Sequence, residues 1–179
     1  MRSILGVLLL LFTTIGEAKQ ESPYATLKLR LRKDESGGNY KAVNQLGYVG
    51  AYQWGCAALQ DLRMAKECVK LGNVGLRQDK VWTGKYGVKS LHEFLNNPVA
   101  QERLIDEWIK MLYDRIVLNR CIKHIGKQFY GIDITEPGLL AASHLLGAGQ
   151  VNKGIRLNKN YTDANGTSLR KRLKDYRND

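Results

Sequence analysis

Glu35 is the carboxylic acid whose position in the sequence best suits proton transfer. It ends an apolar segment and is followed by glycines and aromatic residues. Cleavage of a glycosidic bond needs an acid that still carries a proton near neutral pH, and burial beside apolar groups raises the pKa of a carboxylic acid towards that range. Tyr52 and Trp54, nearby in sequence, can supply such surroundings. The alternative is that Glu35 is a solvated surface acid or pairs with Arg32 or Lys33.

The segment that carries Glu35 fits two patterns. Over residues 24–35 leucines alternate with bases as in a β-strand, but Leu27, Leu31 and Glu35 also recur at the spacing of one helical face. We predict a helix, because Gly37 and the glycine after it can end it and because bases near its end complement the helix dipole. Glu35 then lies in the last turn, over the core.

The rest of the chain is predicted to form one mainly α domain over residues 19–179. Between residues 37 and 55, five glycines and several aromatic residues predict a small irregular hairpin or wrapped loop beside the acid. Residues 99–125 carry the longest apolar stripe and predict a long central helix. Further helices are expected over 56–71 and 90–95, over 139–146 after a cap at Thr135, over 151–157, and after a cap at Thr167 or Ser168.

Three short motifs occur in order along the chain. They are Glu35-Ser36, Gly50-Ala51-Tyr52-Gln53 and Ala142-Ser143-His144-Leu145-Leu146-Gly147-Ala148-Gly149-Gln150-Val151. In sequence, order and separation they resemble the motifs of the goose-type lysozyme and soluble lytic transglycosylase superfamily. The resemblance covers residues 24–157. The block around Glu35 is particularly similar to the muramidase-like domains of phage particles and bacterial secretion effectors.

The resemblance implies a lysozyme-like α+β fold and gives roles to four residues of the first two motifs. Glu35 corresponds to the catalytic acid and base of the family. Ser36, Tyr52 and Gln53 correspond to residues that line the sugar-binding cleft. The implied activity is cleavage of the β-1,4 bond between N-acetylmuramic acid and N-acetylglucosamine in peptidoglycan.

The third motif departs from the family pattern. An ungapped match places His144 where the family commonly has tyrosine, Leu145 where it has asparagine and Ala148 where it has proline. A substrate-contacting amide is therefore missing. His144 is a candidate substrate contact in place of the tyrosine, and the alternative is a core histidine whose hydrogen bonds are satisfied within the protein.

A second carboxylate would decide between two mechanisms. Conventional glycosidases place one about 5–10 Å from the acid. On a helix Asp34 points about 100° away from Glu35, and Asp61, Asp79 or Asp133 can take part only if folding brings them near. The resemblance implies the lytic transglycosylase route instead. There a single Glu protonates the leaving group and then takes a proton from the 6-hydroxyl of muramic acid, which gives an anhydro product.

Residues 1–18 have the pattern of a cleavable signal peptide. Arg2 precedes an apolar run, and Gly16 and Ala18 are small residues at the positions that a signal peptidase reads. The run is shorter than the roughly 20 residues of a membrane-spanning helix, the alternative interpretation. We expect cleavage after Ala18, a secreted or periplasmic protein and no membrane span. The formal net charge of +11 is unchanged by this cleavage and favours an anionic partner.

The three cysteines, Cys56, Cys68 and Cys121, leave two alternatives open. On one continuous helix Cys56 and Cys68 would be about 18 Å apart, which exceeds the limit of about 7 Å between the Cα atoms of a disulfide. A bridge would then need Cys121, and otherwise all three are buried thiols. Cys121 and His124 have the spacing of half a zinc site, but no further ligand spacing accompanies them, so we expect no metal and no cofactor.

The sequence thus predicts an exported enzyme that cleaves peptidoglycan glycan strands, with Glu35 as acid and base. Its partners would be those strands and an inhibitor or immunity protein, and we expect a monomer. One alternative is a peptidoglycan-binding module on the same fold that has lost turnover. The other is a secreted nucleic-acid-binding protein suggested by the charge alone, although we expect no nucleic-acid partner.

Overall fold

Seven α-helices and a two-stranded antiparallel sheet form the regular structure of residues 23–179, the part of the chain that the computed structural model describes. The predicted signal peptide over residues 1–18 lies outside it. The described helices and strands are α1 Ala25–Ser36, α2 Cys56–Asp61, α3 Leu91–Leu95, α4 Pro98–Leu118, β1 Gln128–Phe129, β2 Ile132–Asp133, α5 Glu136–Leu146, α6 Ala148–Arg156 and α7 Leu169–Asp175. Short 3-10 turns occupy much of the segment between α2 and α3.

Helix α4 is the central scaffold helix. It begins where the Asn97 side chain accepts a hydrogen bond from the Ala100 amide, with Pro98 in its first turn. The predicted long helix is confirmed, but it ends at Leu118 because Arg120 takes a left-handed conformation with φ 56°. Its buried stripe consists of Leu104, Ile105, Trp108, Ile109, Leu112 and Ile116.

Helix α1 is confirmed as a helix rather than a strand. Leu27 and Leu31 are buried at helical spacing, whereas Lys28 and Arg30 between them are only partly buried. Gly37 takes a left-handed conformation with φ 65°, and its amide binds the carbonyls of Arg32 and Lys33. The helix therefore stops one residue after Glu35, as the glycine pair predicts.

Helices α5 and α7 pack against each other and close the domain. Thr135 caps α5 by accepting a hydrogen bond from the Gly138 amide, as predicted, and Ser168 caps α7 through the Lys171 amide. A Cβ atom at Gly138 would lie 3.2 Å from the Leu173 carbonyl oxygen, so glycine permits the close approach of the two helices. This packing brings the C-terminal residues next to the end of α1.

The prediction of one helix over 56–71 is wrong. Helix α2 ends at Asp61, and the chain turns back through Arg63, which has φ 55°. The amides of Met64 and Ala65 both bind the Leu59 carbonyl oxygen, which fixes this turn. Because the segment doubles back, Cys56 and Cys68 approach to 5.7 Å between Cα atoms and form a disulfide, while Cys121 is buried and free.

The mainly α class is confirmed, but the regular sheet does not lie where the hairpin was predicted. Residues 37–55 form an irregular wrapped turn held by isolated bridges from Val49 to Val43 and Trp54. The sheet of β1 and β2 lies later in the chain and packs against α7. Within residues 23–179, none of the helices has both the length and the apolar character that crossing a bilayer requires.

Candidate active site

A cleft of about 590 Å³ lies between the end of α1, the wrapped turn, α2, α4, α5 and the loop before α7. It is lined by acidic, aromatic and amide side chains as well as small residues. The lining includes Asp34, Glu35, Gln53, Trp54, Asp61, Trp108, Arg115, Ser143, His144, Leu145, Asp163 and Arg172.

Glu35 lies in the last turn of α1 and forms an ion pair at the cleft. Its Oε1 accepts a hydrogen bond from Nη2 of Arg172 at 2.6 Å, and the two side chains are 17% and 9% exposed. No hydrogen bond from residues 23–179 reaches Oε2. Glu35 therefore pairs with a base 137 residues away in sequence, and neither Arg32 nor Lys33 is its partner.

Arg172 is held in place by Tyr176, which is bound in turn to Asp34. Its Nη1 donates to the Tyr176 hydroxyl at 2.9 Å, and that hydroxyl donates to Oδ2 of Asp34 at 2.8 Å. Burial raises the pKa of Tyr176, so the phenol keeps the proton that it donates to Asp34. The two neighbouring carboxylates thus bind different ends of one chain of hydrogen bonds, with the guanidinium on the Glu35 side.

His144 is both a cleft residue and a histidine with a satisfied hydrogen bond. Its Nδ1 accepts a hydrogen bond from Nε1 of Trp108 at 2.8 Å, so this nitrogen carries no proton. Burial and the charge of Arg172 lower the pKa of His144, and the charge of Glu35 opposes them in part. A neutral imidazole, packed edge-on against Trp54 and Trp108, therefore faces the ion pair.

Of the three other predicted cleft residues, one lines the cleft and two do not. Gln53 lines the cleft. Ser36 does not, because its hydroxyl donates to the Ala51 carbonyl oxygen at 2.8 Å and ties α1 to the wrapped turn. Tyr52 is fully buried in the core and donates to Glu102 at 2.8 Å. Ser36 and Tyr52 thus support the site from behind instead of lining it.

Within the described part of the chain, residues 23–179, three carboxylates other than Glu35 line the cleft. Asp34 is engaged by Tyr176, and Asp61 forms an ion pair with Arg115 at 2.8 Å. The predicted candidates Asp79 and Asp133 do not line it.

Asp163, the third of these cleft carboxylates, was missed as a site residue. Its Oδ1 accepts hydrogen bonds from the amides of Asn165 and Thr167 at 3.0 and 2.7 Å, which fixes a tight turn at the cleft wall. The sequence Asp163-Ala164-Asn165-Gly166 indicates this turn, but not its position in the fold.

A buried glutamine that the sequence analysis did not identify holds the wrapped turn. Gln101 on α4 accepts a hydrogen bond from the Ala51 amide at 2.8 Å and donates to the carbonyls of Tyr40 and Phe94. Gly50 has φ 77°, and a Cβ atom there would lie 2.4 Å from Oε1 of Gln101. A polar residue within the apolar stripe of α4 was the available signal.

Cys121 and His124, the pair with the spacing of half a zinc site, are each hydrogen bonded within the protein. Burial raises the pKa of Cys121 to about 11, and its thiol donates to the Ala148 carbonyl oxygen at 3.3 Å. His124 is hydrogen bonded to Asn152 at 3.0 Å. Within residues 23–179, no group of three or more His, Cys, Asp and Glu side chains is placed to hold a metal ion.

Comparisons of the chain with protein-family models, with curated proteins and with solved structures found no match. The geometry of the cleft and the three sequence motifs are therefore the basis for a functional proposal.

Proposed function

We propose that this protein is an exported enzyme that cleaves the β-1,4 bond between N-acetylmuramic acid and N-acetylglucosamine in peptidoglycan. The observation that carries the proposal is the placement of Glu35. It lies in the last turn of a helix at the cleft, is held by the buried Arg172, and keeps one carboxyl oxygen without a partner among residues 23–179. The motif resemblance assigns the catalytic role to the same residue.

In the proposed mechanism Glu35 acts first as an acid and then as a base, and the proton that it gives in one turnover is the proton that it took up at the end of the turnover before. It gives a proton to the glycosidic oxygen while the bond from that oxygen to C1 of muramic acid breaks. The adjacent guanidinium of Arg172 stabilises the carboxylate that remains. This carboxylate then takes the proton of the 6-hydroxyl as that oxygen bonds to C1. The product carries an anhydro ring, and no second carboxylate is needed.

Two properties of the chain support export to a cell wall. The signal-peptide pattern of residues 1–18 predicts secretion or a periplasmic location, and the Cys56–Cys68 disulfide suits an oxidising compartment. The net charge of +11 favours binding to an acidic wall. An inhibitor or immunity protein that covers the cleft is part of this proposal.

The variant Glu35→Gln tests the proposal directly on purified sacculi. It removes the titratable proton but keeps an oxygen that Arg172 can bind, so we expect release of soluble fragments to stop while the fold persists. Glu67→Gln is the matched control, because Glu67 is an exposed acid outside the cleft. Equal release of soluble fragments by the parent and by Glu35→Gln would contradict the proposal that this protein is an enzyme with Glu35 as its acid.

A peptidoglycan-binding module is the second candidate. The observation that favours it is Leu145, which lines the cleft where the resembling family has an amide. Such a module would bind sacculi as tightly as an enzyme does but would release no fragments. Binding without release by the parent protein would therefore select the module.

A further inference from the structure

An exposed tyrosine lies among bases on a surface outside the cleft. Tyr130 is 47% exposed, and its carbonyl oxygen accepts a hydrogen bond from Nε of Arg170 at 3.4 Å. The Tyr130 hydroxyl donates to the carbonyl oxygen of Asn158 at 2.7 Å, which brings the neighbouring Arg156 and Lys159 to the same region. None of these residues lines the cleft. We call Tyr130, Arg156, Lys159 and Arg170 the basic patch.

The protein does not neutralise the positive charges of the basic patch. Its three bases are exposed, and none of them forms an ion pair within residues 23–179. Of the acids close to them in sequence, Asp163 lines the cleft and Asp175 is paired with Lys171. Asp133, in the hairpin, accepts a hydrogen bond from the glutamine opposite it. The patch therefore keeps a net positive charge that attracts anions.

The turn that carries Tyr130 holds the ring rigidly in a strained conformation. Because β1 and β2 pair Phe129 with Ile132, Tyr130 and Gly131 form a two-residue loop, and their φ angles are 49° and 72°. Asparagine, aspartate or glycine is preferred at the first position of such a loop, since other side chains are strained there. The Tyr130 ring packs edge-on against the buried Phe129, with ring centroids 4.7 Å apart. A rigid, half-exposed ring at a strained position indicates a binding surface.

We propose that the basic patch binds a sugar-phosphate polymer of the cell envelope. Its guanidinium and ammonium groups bind the phosphate oxygens through charge-assisted hydrogen bonds, and the apolar face of the Tyr130 ring packs against a sugar ring. Single-stranded nucleic acid carries similar phosphates but stacks successive bases on several aromatic rings. Within residues 23–179 the only exposed aromatic residues are Tyr130 and Tyr48, and Tyr48 lines the cleft instead. The inference goes beyond the proposed function and does not depend on cleavage.

The test measures binding of the parent and its variants to soluble polymers by calorimetry. The probes are glycosylated poly(ribitol phosphate), inorganic polyphosphate, single-stranded DNA and uncharged chitin oligomers. Tyr130→Asn removes the ring but introduces the asparagine that this loop prefers, and a double variant combines Lys159→Gln with Arg170→Gln. The control combines Lys66→Gln with Lys80→Gln, because these exposed bases lie between α2 and α3 and outside the cleft. Thermal unfolding verifies that each variant is folded.

We expect the parent to bind the glycosylated polymer and not the chitin oligomers. The double variant of the patch should lose about a hundredfold in affinity, about tenfold for each charge-assisted hydrogen bond, whereas the control should lose much less. Tyr130→Asn should weaken binding of the glycosylated polymer by about threefold to tenfold and leave polyphosphate binding unchanged. All variants should release fragments at the parental rate from sacculi stripped of such polymers, because the patch lies outside the cleft.

Three results would overturn the inference. They are a parent that does not bind the glycosylated polymer, an equal loss of affinity in the two double variants, and tighter binding of single-stranded DNA through the same residues. Binding and fragment release are measured separately, so the two proposals fail separately. A parent that binds the polymer through the patch but cleaves no sacculi would support the inference and contradict the proposed function alone.

Discussion

Arg172 is the residue on which the position of Glu35 depends. It approaches the carboxylate from α7 and is itself held by Tyr176, so the catalytic acid of the proposal is oriented by the C-terminal helix. The sequence suggested Arg32 or Lys33 as partners, because only neighbours along the chain are visible there. The ion pair between Glu35 and Arg172 depends on the packing of α5 and α7, which no local sequence pattern encodes.

Arg172→Met should reduce fragment release by about a hundredfold, the effect of a misplaced catalytic group. Arg172→Lys keeps the positive charge and should recover part of the rate. Initial rates on sacculi, with circular dichroism to verify the fold, measure both. Arg177→Met is the control, because Arg177 is an exposed base of the same C-terminal segment and lies outside the cleft. A parental rate in Arg172→Met would remove Arg172 from the mechanism.

His144 should make the protein less stable in mild acid. Its folded pKa is lowered by burial and by Arg172, whereas the unfolded value is about 6.5. As pH falls below that unfolded value, the unfolded chain takes up a proton that the folded chain refuses. The free energy of unfolding therefore falls, by at most about 1.4 kcal/mol per pH unit for one group.

The test of this histidine is the pH dependence of denaturant unfolding between pH 7 and pH 5. His144→Gln keeps an acceptor for Trp108 but does not titrate, so its unfolding free energy should fall less steeply. His92→Gln is the control, since His92 is exposed. If the free energy of unfolding fell equally steeply with pH in the parent and in His144→Gln, His144 would not be the source of the acid sensitivity.

Elements with strong local signals were predicted well, and those set by long-range constraints were not. The glycine pair after Glu35 and the cap at Thr135 fix helix ends by local hydrogen bonds, and both appear as predicted. The apolar spacing of residues 56–71 also favours a helix, yet the chain turns back after Asp61. The disulfide and the left-handed Arg63 override helix propensity there.

The Cys56–Cys68 disulfide should stabilise α2, whose residues form part of the cleft wall. Replacing both cysteines by alanine should lower the free energy of unfolding by about 3 kcal/mol, the loop-closure value for a loop of about this length. Denaturant unfolding with and without dithiothreitol measures the effect. Reducing agent should lower the free energy of unfolding of the parent to that of the variant, and it should not change the free energy of unfolding of the variant. A parent that is equally stable with and without reductant would contradict this stabilising role.

At the scale of the whole molecule, the sequence predicted the cleft only in part. Glu35, Gln53 and His144, each of which belongs to a short motif, line it. Asp163 and Arg172 line it too, although they lie beyond the region that the motifs cover. Their contribution depends on the return of the C-terminal segment to α1, which is a property of the tertiary packing.

The basic surface should make wall association sensitive to salt. Screening weakens attraction between exposed charges as ionic strength rises, so the protein with its charge of +11 should leave sacculi as salt increases. Co-sedimentation of Glu35→Gln with sacculi at low and high salt measures this, and uncharged chitin is the control surface. Sacculus binding that is the same at both salt concentrations would exclude an electrostatic contribution.

Mass spectrometry of the fragments released from sacculi tests the central claim most directly. The proposed mechanism predicts muropeptides that end in anhydro-muramic acid from the parent and none from Glu35→Gln. Muropeptides with reducing ends would show that the bond is cleaved but that water, and not the 6-hydroxyl, is the attacking group. Asp163 would then be the first carboxylate to mutate. Absence of soluble muropeptides from the folded parent, or equal amounts from the parent and Glu35→Gln, would contradict the account.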